Sequence, residues 1–172
     1  MKLFHVSEDP NIHEFVPRLP LRDDLDKSIG LVWAIDEKRL PNFLLPRDCP
    51  RVCYYVGENT LQADIDKYFS SKTVSHVIAI EHNWIKRIKD TTLYVYVFSS
   101  NDFKLQDEIA GYYVATTTQI PIRIHCINDL FCELSKRNIE IRILDNLFDI
   151  AESVKHSSLN WSLCRMKSAI KG

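Results

Sequence analysis

Short apolar runs rich in β-branched and aromatic residues dominate the chain: "GLVWAID", "RVCYYVG", "SHVIAIEH", "TTLYVYVF" and "IEIRIL". Runs this short, closed by turn-forming or charged residues, read as strands, because a helix of the same burial needs a longer pattern of 3.6-residue period. The buried strand in the first run covers about Leu31 to Ile35, and "RVCYYVG" ends at Gly57. "KLFHV" alternates apolar and polar residues and adds a strand at the start, while "GYYVATTTQI" and "PIRIHCI" read as a strand, a turn and an edge element broken at Pro121. Helical patterns are short. They comprise a single turn in "NIHEFVPR" capped by Asn11 and ended by Pro17, and "EKRLPNFL" broken by Pro41. "LQADIDKYF" follows a Thr60 cap and sets Leu61, Ile65 and Phe69 on one face; "NWIKRIK" is a short helix or turn. "NDLFCELSKR" follows an Asn128 cap, and "NLFDIAESV" and "SLNWSLCRMKSAI" close the chain as helices. Roughly seven strands and several short helices without sustained βαβα alternation give an α+β fold.

With 45% hydrophobic and 26% charged residues, 172 residues suffice for one domain over 1–172. A formal net charge of -1 with interspersed signs excludes the basic face of a duplex nucleic-acid binder. "MKLFHVSEDP" turns polar too early for a secretory leader, and no run approaches the roughly 18 apolar residues of a membrane span. These features predict a cytoplasmic protein with no membrane partner. The polar stretch Pro20 to Lys27 reads as one surface loop. There is no GxGxxG and no GxxxxGK[ST], and only four glycines, so a bound phosphate would fall to arginines.

Five cysteines, Cys49, Cys53, Cys126, Cys132 and Cys164, sit partly in apolar segments and read as reduced thiols. Cys49 and Cys53 lack a second ligand pair of similar spacing, so the expected metal set is empty. A nucleophilic Cys49, activated by Arg47 and Arg51, is the alternative to a buried thiol, although no base is paired with it. In "LLPRDCPRVCYYVG", Pro46 and Pro50 stiffen the backbone around Arg47, whose guanidinium suits phosphate as well as it suits the neighbouring Asp48. His5 and Ser7 lie on one face of the first strand and could present an imidazole and a hydroxyl together. Trp33 is either a stacking surface or core, Glu108 either a site carboxylate or solvated, and Tyr112 and Tyr113 point to opposite faces.

"LFHVSEDPNIHEFVPR", "VWAIDEKRLPNFLLPRDCPRV", "AGYYVATTTQIP" and "HSSLNWSLCRMKSA" together resemble a family of short bacterial proteins of unknown function, over essentially the whole chain. More remotely, the opening strand with its central histidine, followed by a "VWA" strand, is similar to the start of the ADP-ribosyltransferase fold. That resemblance implies two small antiparallel or mixed sheets with short helices, a cleft between them, and NAD or a related nucleotide as cofactor. It gives His5 the nicotinamide ribose with Ser7 beside it, an aromatic residue (Trp33 or Tyr54) a stacking role, and Arg47 or Arg51 the phosphates. The catalytic carboxylate of the third motif falls on Tyr112, with Glu108 four residues earlier. The alternative is a non-catalytic ligand- or partner-binding protein in which the same side chains are structural. Oligomeric state is not encoded in any of these patterns.

Overall fold

The computed structural model describes residues 1–20 and 25–171. Within the anticipated Pro20–Lys27 loop, residues 21–24 lie outside the described residues. In chain order the elements are β1 (Lys2–Ser7), β2 (Val32–Ile35), β3 (Arg51–Tyr55), α1 (Gln62–Tyr68), β4 (His76–Glu81), α2 (Ile85–Asp90), β5 (Leu93–Ser99), β6 (Lys104–Asp107) and β7 (Tyr112–Ala115), followed by β8 (Arg123–Ile127), α3 (Leu130–Lys136), β9 (Glu140–Leu144), α4 (Phe148–Lys155) and β10 (Asn160–Cys164). The fold is α+β with two sheets and four short helices among the described residues. Two compact units form, each from two stretches of chain: Met1–Phe43 with Thr92–Asn128, and Leu44–Thr91 with Asp129–Gly172.

The first unit is a six-stranded antiparallel sheet in the order β6-β7-β2-β1-β5-β8. Register fixes its two faces. Leu3 lies opposite Phe98, His5 opposite Tyr96 and Ser7 opposite Tyr94, so these side chains share one face. Leu3, Val32, Ala34, Tyr96, Phe98, Phe103 and Ala115 make the core on that side, with Ile12, Phe15, Tyr94 and Tyr113 packed against it. The strap that carries Ile12 and Phe15 contains no helix, contrary to the single turn expected after Asn11. Its backbone is satisfied at long range instead. Tyr96 Oη donates to the Asp9 carbonyl at 2.6 Å and accepts from the Ile12 amide at 3.1 Å. Phe15 exchanges two backbone hydrogen bonds with Gln119, at 2.8 and 3.0 Å. Buried amides need partners, and these sheet-side donors and acceptors prevail over a weak local helix propensity.

The second unit is a four-stranded sheet, β10-β3-β4-β9, antiparallel except where β9 runs parallel to β4. Its core packs Val52, Tyr54, Val77 and Ala79 against Tyr68, Phe69, Leu147, Ala151, Val154 and Leu159. The segment "SLNWSLC", expected to be helical, is strand β10, paired residue for residue with β3 from Asn160–Tyr55 to Cys164–Arg51. The cap of α1 is also remote. Thr60 Oγ1 accepts from Gly57 N–H instead, and Leu61 N–H at the start of α1 donates to Ser158 Oγ at 2.8 Å. Leu61, expected on the apolar face, is 63% exposed. Asp129, one residue past the anticipated Asn128, caps α3 by accepting from Cys132 N–H at 2.9 Å. No helix among the described residues is long and apolar enough to cross a membrane.

Candidate functional site

His5 sits in the middle of β1, half-buried, between Tyr96 on one side in register and the ring of Phe15, whose centroid is 4.8 Å from its own. Its Nδ1 lies 3.0 Å from the carbonyl oxygen of Trp33. A carbonyl can only accept, so Nδ1 carries the proton, and in the neutral ring Nε2 is the acceptor nitrogen. The imidazole is thereby fixed in both orientation and tautomer by the neighbouring strand β2. Ser7, two residues on and on the same face, accepts the Asp9 amide at 3.1 Å with its hydroxyl oxygen. That bond forms where the chain leaves β1.

The register adds side chains that sequence reading did not single out. Tyr94 pairs with Ser7 and Cys126 pairs with Tyr94, so the three form one row across β1, β5 and β8, a row away from His5. Tyr94 is half-buried and Cys126 exposed. Phe15, in the strap, closes the same face and packs edge-on to Tyr96 and Phe98, both at 5.1 Å. The alternation in "LYVYVF" was the available signal for Tyr94; its neighbour across the sheet was not.

Trp33 and Tyr112 take the opposite face. Trp33 precedes Ala34 on β2 and is paired with Val114, while Tyr112 is paired with Ile35. Their rings meet edge to face at 5.4 Å, and Phe43 adds a second edge contact to Tyr112 at 6.0 Å. The sheet therefore stands between Trp33 and any ligand held by His5 and Ser7, and only the Trp33 carbonyl serves the His5 side. Tyr113, as expected, points the other way from Tyr112 and joins the core. Glu108 is exposed in the turn before β7; its carbonyl accepts from Gly111 N–H at 3.3 Å. None of the strand residues on the His5 face is a carboxylate. Tyr54, the other aromatic considered for stacking, is fully buried against Tyr68 and Phe69 in the second unit.

The stretch "LLPRDCPRVCYYVG" resolves into a turn and a strand of the second unit. The Cys49 amide donates to the Pro46 carbonyl at 3.0 Å, closing a four-residue turn with Arg47 and Asp48 exposed at its tip. Arg51 is 4% exposed, and one of its guanidinium nitrogens donates to the Cys49 carbonyl at 2.9 Å, clamping the turn from inside. Cys49 is fully buried, and burial pushes its thiol up from 9.0 to about 12 against a smaller opposing effect of Arg51. The buried-thiol reading holds over the alternative of arginine activation: desolvation disfavours the thiolate more than one cation favours it. Cys53 is fully buried and raised for the same leading reason. All five cysteines are free thiols, and no cluster of three or more potential metal ligands occurs among the described residues.

Two polar constellations elsewhere in the second unit are structural in their bonding. Glu140 accepts from Ser70 Oγ at 2.5 Å and from Arg142 Nε at 2.7 Å, and Arg142 also donates to the Tyr68 carbonyl. Burial acts to raise the Glu140 carboxyl, but the hydrogen bonds from Ser70 and Arg142 together hold it below its ordinary value. Asp64 accepts both the amide and hydroxyl of Ser158, which depress its carboxyl and tie α1 to the start of β10.

No curated protein and no solved structure matches the chain. The model of the family of unknown function DUF6886 matches residues 4–169, which take in His5, most of both sheets and the four helices, and the chain belongs to that family.

Proposed function

We propose that the first unit binds a hydroxyl-rich ligand of the nucleotide class, NAD or ADP-ribose being the first to test, on the face formed by His5, Ser7 and Tyr94, and that it binds without transferring a group. The observation that carries this reading is the fixed tautomer of His5: Nδ1–H on the Trp33 carbonyl makes Nε2 an acceptor. A hydroxyl group that can donate and accept lies on the same side at Ser7. Acceptor and hydroxyl two residues apart on a strand are separated by about 6.5–7 Å, a span that two hydroxyls of one ribose can bridge through their own lengths of hydrogen bond. Tyr94 offers the aromatic surface that Trp33, on the far face, does not.

Support for binding over catalysis comes from what shares that face. Stabilising an oxocarbenium-like ribose calls for a carboxylate directed at it, and the strands place none beside His5. Glu108 and Tyr112 belong to a turn and to the opposite face. A ribose would thus be held and oriented without a carboxylate directed at it from the strands. Arg47 and Arg51 belong to the other unit and are not needed for the proposal.

Calorimetric titration of the full chain with NAD, ADP-ribose and nicotinamide tests it. Ser7→Ala and His5→Ala should each weaken binding of NAD or ADP-ribose by the worth of one hydrogen bond, about 0.5–1.5 kcal/mol, or roughly 2- to 13-fold. Cys49→Ala should leave it unchanged. Circular dichroism screens for folding, and Ser7→Ala carries the test if His5→Ala does not fold. Absence of heat with all three ligands at millimolar concentration refutes the proposal.

A further inference from the structure

Residues 8–17 form the strap that crosses the His5 face after β1, and they contain no helix and no strand beyond a single bridge at Phe15. Seven of the ten are exposed and three half-buried, so lifting the strap uncovers little apolar surface. Pro10 and Pro17 have no amide to bond. The backbone is held at long range instead. Tyr96 Oη joins the Asp9 carbonyl and the Ile12 amide, and Phe15 exchanges its pair of bonds with Gln119. A segment with no fully buried residue and no hydrogen-bonded ladder of its own opens at a lower free energy than the strands beneath it.

What the strap covers gives that opening a consequence. The Phe15 ring lies against the His5 imidazole, with centroids 4.8 Å apart, and against Tyr96 and Phe98, each at 5.1 Å. At its start, the Asp9 amide donates to Ser7 Oγ at 3.1 Å, and Asp9 Oδ1 accepts the Asn11 amide at 2.8 Å to complete a turn. Both polar groups of the His5 face are therefore engaged by the strap, the imidazole by a ring and the hydroxyl by an amide.

We infer that the strap is an autoinhibitory lid on the His5 face, latched by the Tyr96 hydroxyl, and that it lifts before His5 and Ser7 hold a ligand together. The inhibitory use of the lid rests on the ligand reading above; its opening does not. Tyr96 is the latch because one oxygen serves a donor and an acceptor three residues apart in the strap. With that oxygen gone, both lose their partner in the closed form, whereas in the open form both meet water. Tyr96→Phe keeps the ring that packs in the core and removes the latch, shifting the balance toward the open form by the worth of two hydrogen bonds, at least about fivefold. While the open form is the minor one, ligand affinity gains the same factor.

Hydrogen exchange of the full chain, followed amide by amide by NMR, tests the lid without any ligand. The amides of Ile12, Phe15 and Gln119 should share one protection factor, below that of the slowest amides of β1 and β5, and Tyr96→Phe should lower all three by at least about fivefold. Phe15 and Gln119 bond each other, so a hydroxyl that acts only where it touches would move Ile12 alone. That result overturns the inference, as do three unrelated protection factors in the parent. Diethyl pyrocarbonate, which acylates neutral imidazole, gives a second reading by peptide mass. His5 should react faster in Tyr96→Phe and in Phe15→Ala than in the parent, with exposed His82 as the unchanged reference. Equal His5 rates in all three proteins overturn the lid. In calorimetry, Tyr96→Phe should bind ADP-ribose more tightly than the parent; binding no tighter overturns the autoinhibition. Absence of heat from both proteins refutes the ligand reading and with it the inhibitory use, while exchange still decides whether the strap opens.

Discussion

Gly111 is where a single methyl group should do most damage to the first unit. It closes the turn that begins at Glu108, with φ at +64°, in the left-handed region that a Cβ disfavours. An alanine there costs about 1–2 kcal/mol from backbone sterics alone. Its Cβ would also stand 2.6 Å from Arg39 Cγ and 2.8 Å from Asp36 Oδ1. Asp36 cannot retreat freely, because Oδ1 accepts the Arg39 amide at 2.8 Å and its own amide donates to the Gly111 carbonyl at 3.0 Å. Losing one of those bonds adds about 0.5–1.5 kcal/mol. Gly111→Ala should therefore destabilise by about 2–3 kcal/mol, lowering a urea midpoint by about 1–2 M at a typical slope. Arg39→Ala removes the atom of closest approach, so the double variant should lose less than the sum of the two single losses. A Gly111→Ala midpoint within experimental scatter of the parent would refute the reasoning, and strict additivity with Arg39→Ala would refute the steric part of it.

Four further outcomes concern mainly the second unit, with Cys126 of the first among the thiols compared. Cys49, whose folded value is raised to about 12 from 9.0, favours the folded state fully below pH 9 and loses that contribution as pH climbs toward 12; Tyr54, raised from 10.0 to about 12, adds to the same alkaline loss. Urea titrations across this range should show stability falling with pH, less steeply in Cys49→Ala, and a thiol reagent at neutral pH should label exposed Cys126 and Cys132 but not Cys49 or Cys53. Ser158→Ala should cost about 1 kcal/mol, read by thermal or urea unfolding, because α1 then loses the hydroxyl that accepts the Leu61 amide. Glu140, held low, contributes stability above the ordinary carboxylate range and loses it as pH falls through its lowered value, and Ser70→Ala should move its NMR titration upward.

The strands that sequence reading located share a property: both faces of the run are apolar, or the alternation is clean. "SHVIAIEH" became β4 with all six residues buried, and "TTLYVYVF" became β5 with five of seven buried. β6, "KLQD", had no such signal, since an edge strand with three exposed residues has nothing buried to reveal it. β10 was misread for a different reason. Leu159 and Leu163 are four apart and mimic a helical face, yet Leu163 pairs with Val52 of β3, more than a hundred residues earlier in the chain, and Leu159 packs into the core just before the strand begins. Tertiary pairing overrides the local period there. The same holds for the strap after β1, where Tyr96 and Gln119 supply the hydrogen bonds that an Asn-capped turn would have supplied locally.

The candidate site divides along the same line between what one strand decides and what its neighbours decide. That His5 and Ser7 share a face needs only the two-residue period of β1. Whether Trp33 joins them depends on how β2 is registered against β1, and the sequence of β2 alone is compatible with either answer. The Phe4–Ile35 pairing decides it. A slip of one residue would turn Trp33 and Tyr112 toward His5 and turn Ala34, now 2% exposed in the core, outward. The core opposes such a slip: Ala34 is small enough to lie beside His5 beneath the Phe15 strap, and an indole at that position would meet the ring that packs on Tyr96 and Phe98. Shape at the centre of the sheet thus sends the tryptophan to the far side, and leaves its carbonyl, which has no face, as the part of Trp33 that serves His5.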